Sequence, residues 1–280
     1  MSTAAESKVA FVLGGGGVLG ATQVGMLRAL LDAGVRPDLV LGTSIGSVNG
    51  AFVAADPTPA SADRLARVWR KVSEEGDFLE NPFRQAARAA KYRTHFMSTR
   101  PLARLIDEHL GVERIEDLQI PFQCVAAHIE SSKARWFSTG PITPAILASC
   151  AVPGMFPPVE IAGEHFLDGG LVHSIPVGRA LAMGATEIFV LQVGRVEQAL
   201  QVPTKPWEVA SVAFEIARRH RYYEELDTVP EDVALHVLPS GATSTPAISL
   251  TQGTSGRLEA RTEQAYAATT AYLHAAFREG

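Results

Sequence analysis

Lysine is scarce in this chain: five lysines stand against 20 arginines. Acidic residues outnumber basic ones by 30 to 25, a formal net charge of −5. A nucleic-acid surface needs a basic excess, so general nucleic-acid binding is not expected. Cysteine is scarcer still. Cys124 and Cys150 both lie in apolar surroundings. They read as small buried hydrophobes of a reducing, cytoplasmic setting, not as a disulfide framework. The polar start, Met1 to Lys8, lacks the apolar stretch of a secretory leader. Two uncharged stretches are broken for membrane spanning. Residues 39–55 contain Gly42, Gly46, Asn49 and Gly50, and residues 136–159 contain Pro141, Pro144, Pro153, Pro157 and Pro158. No cluster has metal-ligand spacing, so neither metal nor cofactor is expected.

What is present is a regular alternation. Val9 to Leu13 is a short apolar run stopped by glycine, the mark of a buried strand. A helix with Val24, Leu27 and Leu31 on one face follows, capped by Gly34. Leu39 to Leu41 is a second strand and Ile45 to Ala55 a second helix. That order predicts a parallel sheet with right-handed crossovers. Farther on, Leu65, Val68, Trp69 and Val72 mark a helix, and Phe83 to Tyr92 an amphipathic one on the surface. Phe122–His128 and Arg135–Phe137 read as a strand pair. Thr143-Pro144 reads as a helix start with Thr143 as cap. His165 to Leu167 leads to Asp168-Gly169-Gly170, then a helix from Ile175 to Met183 and a strand from Glu187 to Val193. The tail adds a helix with Trp207, Ala210, Phe214 and Ala217 on one face, a strand near Val233 to Leu238, and a long last helix. The basic cluster Arg218-Arg219-His220-Arg221 reads as a solvated helix end. The chain reads as one α/β domain: residues 9–185 form its core, and residues 186–280 complete it.

Two glycine-rich turns carry the chemistry. Gly42-Thr43-Ser44-Ile45-Gly46 fits G-x-S-x-G between a strand and a helix. Gly42 and Gly46 permit a sharp turn that pushes the serine hydroxyl outward, and the helix N-terminus favours negative charge beside it. A glycine-rich connection whose serine only caps the helix would read the same way. The first run, Gly14 to Gly20, offers unobstructed backbone N–H groups for an oxyanion. It also matches the dinucleotide fingerprint, but that reading expects an acid at the end of the second strand, where Leu41-Gly42-Thr43-Ser44 stands. The serine needs a base. No histidine is singled out, His173 included, and Asp168 at a strand end is the best-placed carboxylate, although Asp-Gly is also a hairpin signal.

Together these residues resemble the patatin-like phospholipases, over roughly residues 9–185. Four blocks carry the resemblance in order: Gly15 to Ala21, Gly42 to Gly46, Ala148-Ser149-Cys150-Ala151-Val152-Pro153-Gly154-Met155-Phe156-Pro157-Pro158, and Asp168-Gly169-Gly170. The resemblance implies a mostly parallel central sheet between helical layers. It implies a Ser44–Asp168 dyad, an oxyanion hole from the N–H groups of Gly15, Gly16, Gly17 and Val18, and no metal. The implied substrate is a lipid or other acyl ester, with transient contact at a membrane surface. A non-catalytic lipid-binding protein of the same fold is the rival. Leu19 stands where the family usually has Arg or Lys, which favours a neutral ester or lysolipid over an anionic phospholipid.

Overall fold

The computed structural model describes residues 7–75, 94–193, 199–241 and 255–277. The expected surface helix Phe83–Tyr92 falls outside them. The strands are β1 (Val9–Leu13), β2 (Leu39–Thr43), β3 (Phe122–His128), β4 (Lys133–Phe137), β5 (Val159–Ile161), β6 (Glu164–Asp168), β7 (Glu187–Leu191) and β8 (Ala234–Val237). The helices are α1 (Gly20–Asp32), α2 (Ile45–Ala55), α3 (Pro59–Glu75), α4 (Arg100–His109), α5 (Ile142–Ser149), α6 (Val177–Ala182), α7 (Pro206–Leu226) and α8 (Ser255–Ala276). The strands join in one sheet in the order β5-β6-β3-β2-β1-β7-β8, with β4 also paired to β3. Pairings among β3, β2, β1, β7 and β8 are parallel. The antiparallel pairings collect around β3, β4, β5 and β6.

Alternation along the strands sorts the core into two layers. Phe11 and Leu13 of β1, Val40 of β2, and Phe189 and Leu191 of β7 face one way, packing with α1, α2, α3, α5 and α8. Ala10, Val12, Leu39, Leu41, Ile188 and Val190 face the other, under α6 and Tyr222 of α7. Strands buried on both faces must be apolar throughout, which is why these runs are short and uninterrupted.

One feature of the pairing decides where the site forms. β4 occupies one edge of β3 along Cys124–His128. β2 and β6 therefore share the other edge, β2 along residues 122–125 and β6 along residues 126–128. They approach from opposite directions and meet end to end. Thr43 sits opposite Val125, and Asp168 opposite the next residue, Ala126.

Two local expectations are corrected. The cap of α5 is Pro141, with Thr143 inside the helix, where its hydroxyl donates to Asp107 at 2.6 Å. On α7, Ala217 is exposed and Phe214 only half-buried, while Glu215, Tyr222 and Glu225 are buried. This helix turns a charged stripe inward because Glu215 pairs with Arg218 and Arg219 along the helix, while Gly15 O, Ser174 Oγ and the Gly178 N–H meet the stripe from beyond it.

Helices α1 and α8 cross closely at Gly25, where a Cβ would lie 2.1 Å from the Thr262 carbonyl oxygen and 2.8 Å from Tyr266 N. Backbone atoms cannot yield as a side chain would. Gly25→Ala is therefore expected to lower unfolding stability by about 1–3 kcal/mol. Gly256→Ala, with open space around the added carbon, should leave stability unchanged or slightly raised. Urea melts of the two variants check the contrast.

Candidate active site

Ser44 sits between β2 and α2 with φ 53° and ψ −128°, a conformation that costs a non-glycine residue about 1–3 kcal/mol unless its surroundings impose it. They do. Its N–H donates to Ser149 Oγ at 2.9 Å, and its carbonyl accepts from Ser47 N at 2.8 Å and Ser47 Oγ at 2.6 Å. Gly46 presses so closely on β1 that a Cβ there would stand 2.2 Å from the Leu13 carbonyl oxygen. Gly42 is equally confined, 2.5 Å from Ser47 Cα. Both glycines are thus required by close approach.

Asp168 ends β6 and is 1% exposed. Its Oδ1 accepts the Gly170 N–H at 2.7 Å. Its Oδ2 is buried with no hydrogen-bond partner among the described residues. The Ser44 hydroxyl acts on this carboxyl from close by, yet the contact falls short of full hydrogen-bond geometry. Burial pushes Asp168 up to about 6 from an ordinary 3.8, against the opposing pull of the Ser44 hydroxyl, the Gly170 N–H and the Arg218 guanidinium. The neighbouring Cys150 thiol is raised well above its usual range, first by burial and then by the Asp168 charge.

The glycine loop crosses beside this pair, and a Cβ on Gly15 would lie 3.1 Å from Ser44 Cβ. Its first N–H groups turn inward. Gly14 N–H donates to Leu191 O and Gly15 N–H to Ser174 O, both at 3.2 Å. Gly15 thus departs from the expectation, since its N–H is already engaged. Gly16, Gly17 and Val18 open the short 3-10 turn Gly17–Leu19, whose first internal bond runs from Leu19 N–H to Gly16 O. The first N–H groups of such a turn have no acceptor within it. Behind the loop, Gln23 donates to the carbonyls of Gly14 and Leu191 at 2.8 and 2.9 Å. Asn49 bonds Gln23 and receives the Trp69 indole N–H, tying α1, α2 and α3 together. Leu19 is buried in the core and carries no charge to the loop.

In front of Ser44 lies a pocket of about 80 Å³. Gly17, Trp69, Met97, Met155 and Phe156 line it, an almost wholly apolar surface. Met97, Met155 and Phe156 also form a small hydrophobic cluster of their own. His173 lies apart from the pair: its Nδ1 meets Glu225 at 2.6 Å, and its carbonyl accepts the Thr43 hydroxyl at 2.7 Å. Among the described residues no group of His, Cys, Asp and Glu converges as a metal site.

The sequence reading missed Arg218. It is not part of a solvated helix end. Its Nη2 donates to Gly15 O at 2.9 Å and its Nε to Ser174 Oγ at 2.7 Å, and it pairs with buried Glu215. Arg219 is also nearly buried, 3.6 Å from Glu215, whereas His220 and Arg221 are solvated. The buried Glu215 one turn earlier was the available signal. A carboxylate three and four residues before two arginines can neutralise them inside the fold.

Comparison with known proteins bears on the family and the fold. The family model for patatin-like phospholipase matches residues 11–181. Lysophospholipase NTE1 of Mycosarcoma maydis is 34% identical over 197 residues, and that of Coccidioides immitis 34% over 197. Each match covers 68% of this chain but only 10% and 12% of those proteins, so the chain spans a small part of these relatives. Among solved structures, VipD from Legionella pneumophila superposes with a TM-score of 0.50 at 15% identity, covering 98% of this chain and 68% of that one. This likeness concerns the fold. The chain belongs to the patatin-like phospholipase family.

Proposed function

We propose that this chain hydrolyses acyl esters of lipids through an acyl-enzyme on Ser44, with Asp168 as base. The observation that carries this reading is the meeting of a serine held at positive φ with a buried carboxylate oxygen lacking a partner, at the mouth of an apolar pocket. In the first step Ser44 Oγ attacks the acyl carbon and its proton passes to Asp168. The oxyanion is held by the N–H groups of Gly16, Gly17 and Val18. Asp168 then protonates the departing alcohol as the ester C–O bond breaks. A water oxygen then attacks the acyl carbon as Asp168 takes its proton, the acyl–Oγ bond breaks, and the proton passes from Asp168 to Ser44 Oγ as the fatty acid leaves.

The apolar pocket suits one acyl chain, and Leu19 leaves the glycine loop without a side-chain charge of its own. A lysolipid or neutral ester therefore fits better than a strongly anionic phospholipid. Contact with a lipid surface would be peripheral, since among the described residues no helix is long and apolar enough to cross a membrane. The dinucleotide reading is disfavoured because β2 ends in Gly42-Thr43 and runs into Ser44, with no acid to hold a ribose.

A fluorophosphonate probe should label Ser44, as shown by peptide mass mapping, and Ser44→Ala should lose both label and esterase activity. A folded wild-type chain that takes no label would transfer the weight to a non-catalytic lipid-binding role.

Asp168 must be ionised to act as base. The kcat/KM profile for a p-nitrophenyl ester should therefore rise with pH and be half-maximal near about 6. An ordinary carboxylate would put the midpoint at about 4, and that result would remove Asp168 from the role.

The same shift has a stability sign. Folding raises this pKa, so the proton's stabilising contribution is complete below 3.8 and is lost as pH rises through about 6. Asp168→Asn avoids that loss. The inactive variant should be more stable than wild type at pH 8, by at most ~3 kcal/mol, and the advantage should vanish near pH 4. Thermal melts at the two pH values check it.

A further inference from the structure

Residue 218 lies beyond the segment matched by the family model, which ends at residue 181, and 203 positions along the chain from the glycine loop it touches. We propose that Arg218 is a positioning residue that orients and polarises the Gly15–Gly16 peptide, so that the Gly16 N–H is presented to the oxyanion. The proposal rests on the reading of Ser44 as nucleophile. Its basis is the geometry of one peptide plane. In a trans peptide the carbonyl and the next N–H point in opposite directions, and the described chain contains no cis peptide. The Nη2 group holds Gly15 O at 2.9 Å, so the Gly16 N–H is directed away from the guanidinium.

Three further contacts make this a built arrangement. The Nε group of the same guanidinium donates to Ser174 Oγ, while Ser174 O accepts the Gly15 N–H. Both peptide planes of Gly15 are therefore set from one support. Glu215, 6% exposed, pairs with the guanidinium and limits its rotation. Finally, a Cβ on Gly170 would lie 3.6 Å from Arg218 Cδ and 2.9 Å from Asp168 Oδ1. One side chain of α7 thus reaches both the glycine loop and the aspartate turn.

A cationic donor on a carbonyl draws electron density from its amide and strengthens that amide's N–H as a donor. That help grows as negative charge develops on the substrate oxygen, so it acts on the transition state more than on substrate binding. Arginine suits the task because two nitrogens of a rigid, planar fork meet two acceptors in fixed directions, whereas an ammonium presents its donors from one freely rotating nitrogen.

The test compares wild type, Arg218→Gln, Arg218→Lys and Leu226→Ala with p-nitrophenyl butyrate as substrate. Octyl trifluoromethyl ketone, whose adduct with serine carries an oxyanion, is the inhibitor. Ser44→Ala is measured first. If it keeps wild-type activity, the nucleophile reading fails on its own and Arg218 is not implicated. With that control passed, Arg218→Gln should lower kcat by about tenfold to a hundredfold while KM changes by less than about threefold. Ketone affinity should fall by the same factor as kcat, with Arg218→Lys intermediate in both. Leu226→Ala, which loosens the far end of α7 where it packs on the second core layer, should melt lower yet keep its ketone affinity. The proposal is overturned if Arg218→Gln binds the ketone as tightly as wild type. It is also overturned if both α7 variants lose kcat and thermal stability in step, which would make Arg218 a structural brace. Should Arg218→Gln fail to fold, the ketone affinity of Arg218→Lys decides in the same way.

Discussion

The close approach of two backbones governs this molecule. Gly46, in the first turn of α2, packs against the end of β1 so tightly that the Leu13 carbonyl oxygen would stand 2.2 Å from any Cβ placed there. That contact presses the Ser44 turn against the root of the glycine loop and leaves Ser44 in a conformation the chain would otherwise avoid. Ser47 and Ser149 then satisfy the polar groups that the turn exposes. The strain is retained because three hydrogen bonds and two glycine contacts impose it together.

Electrostatics at the site is a contest in which burial leads. Removing water from Asp168 raises its proton affinity, and the Ser44 hydroxyl, the Gly170 N–H and the Arg218 charge moderate the rise. The outcome is a carboxylate more basic than an ordinary one and still ionised at neutral pH. Arg218 is held beside buried Glu215, so its charge reaches the site without a lone buried cation.

Much of the fold was legible because its signals are local. Val9–Leu13, Leu39–Leu41 and Ile188–Leu191 are apolar throughout, as strands covered on both faces must be, and the intervening helices show their period in the same short windows. Ser44 and Asp168 could each be singled out because glycines beside them mark sharp backbone turns. Thr143 misled because Pro144 marks the first turns of a helix without naming the cap. On α7 the eye follows the apolar residues Phe214 and Ala217, whereas the inward stripe consists of Glu215, Arg218 and Arg219, which neutralise one another along the helix and reach Gly15 and Ser174 through Arg218.

By itself, then, the sequence determined the strand-and-helix alternation, the two glycine-rich turns and the serine and aspartate at their strand ends. These follow from periodicity and backbone freedom within a few residues. Only the tertiary structure decided that β2 and β6 share one edge of β3 and meet end to end, bringing residues 44 and 168 together. It alone also decided which loop N–H groups face inward, and that an arginine on a late helix holds Gly15. Pairing partners and long-range hydrogen bonds depend on where distant segments pack, which no short window of residues encodes.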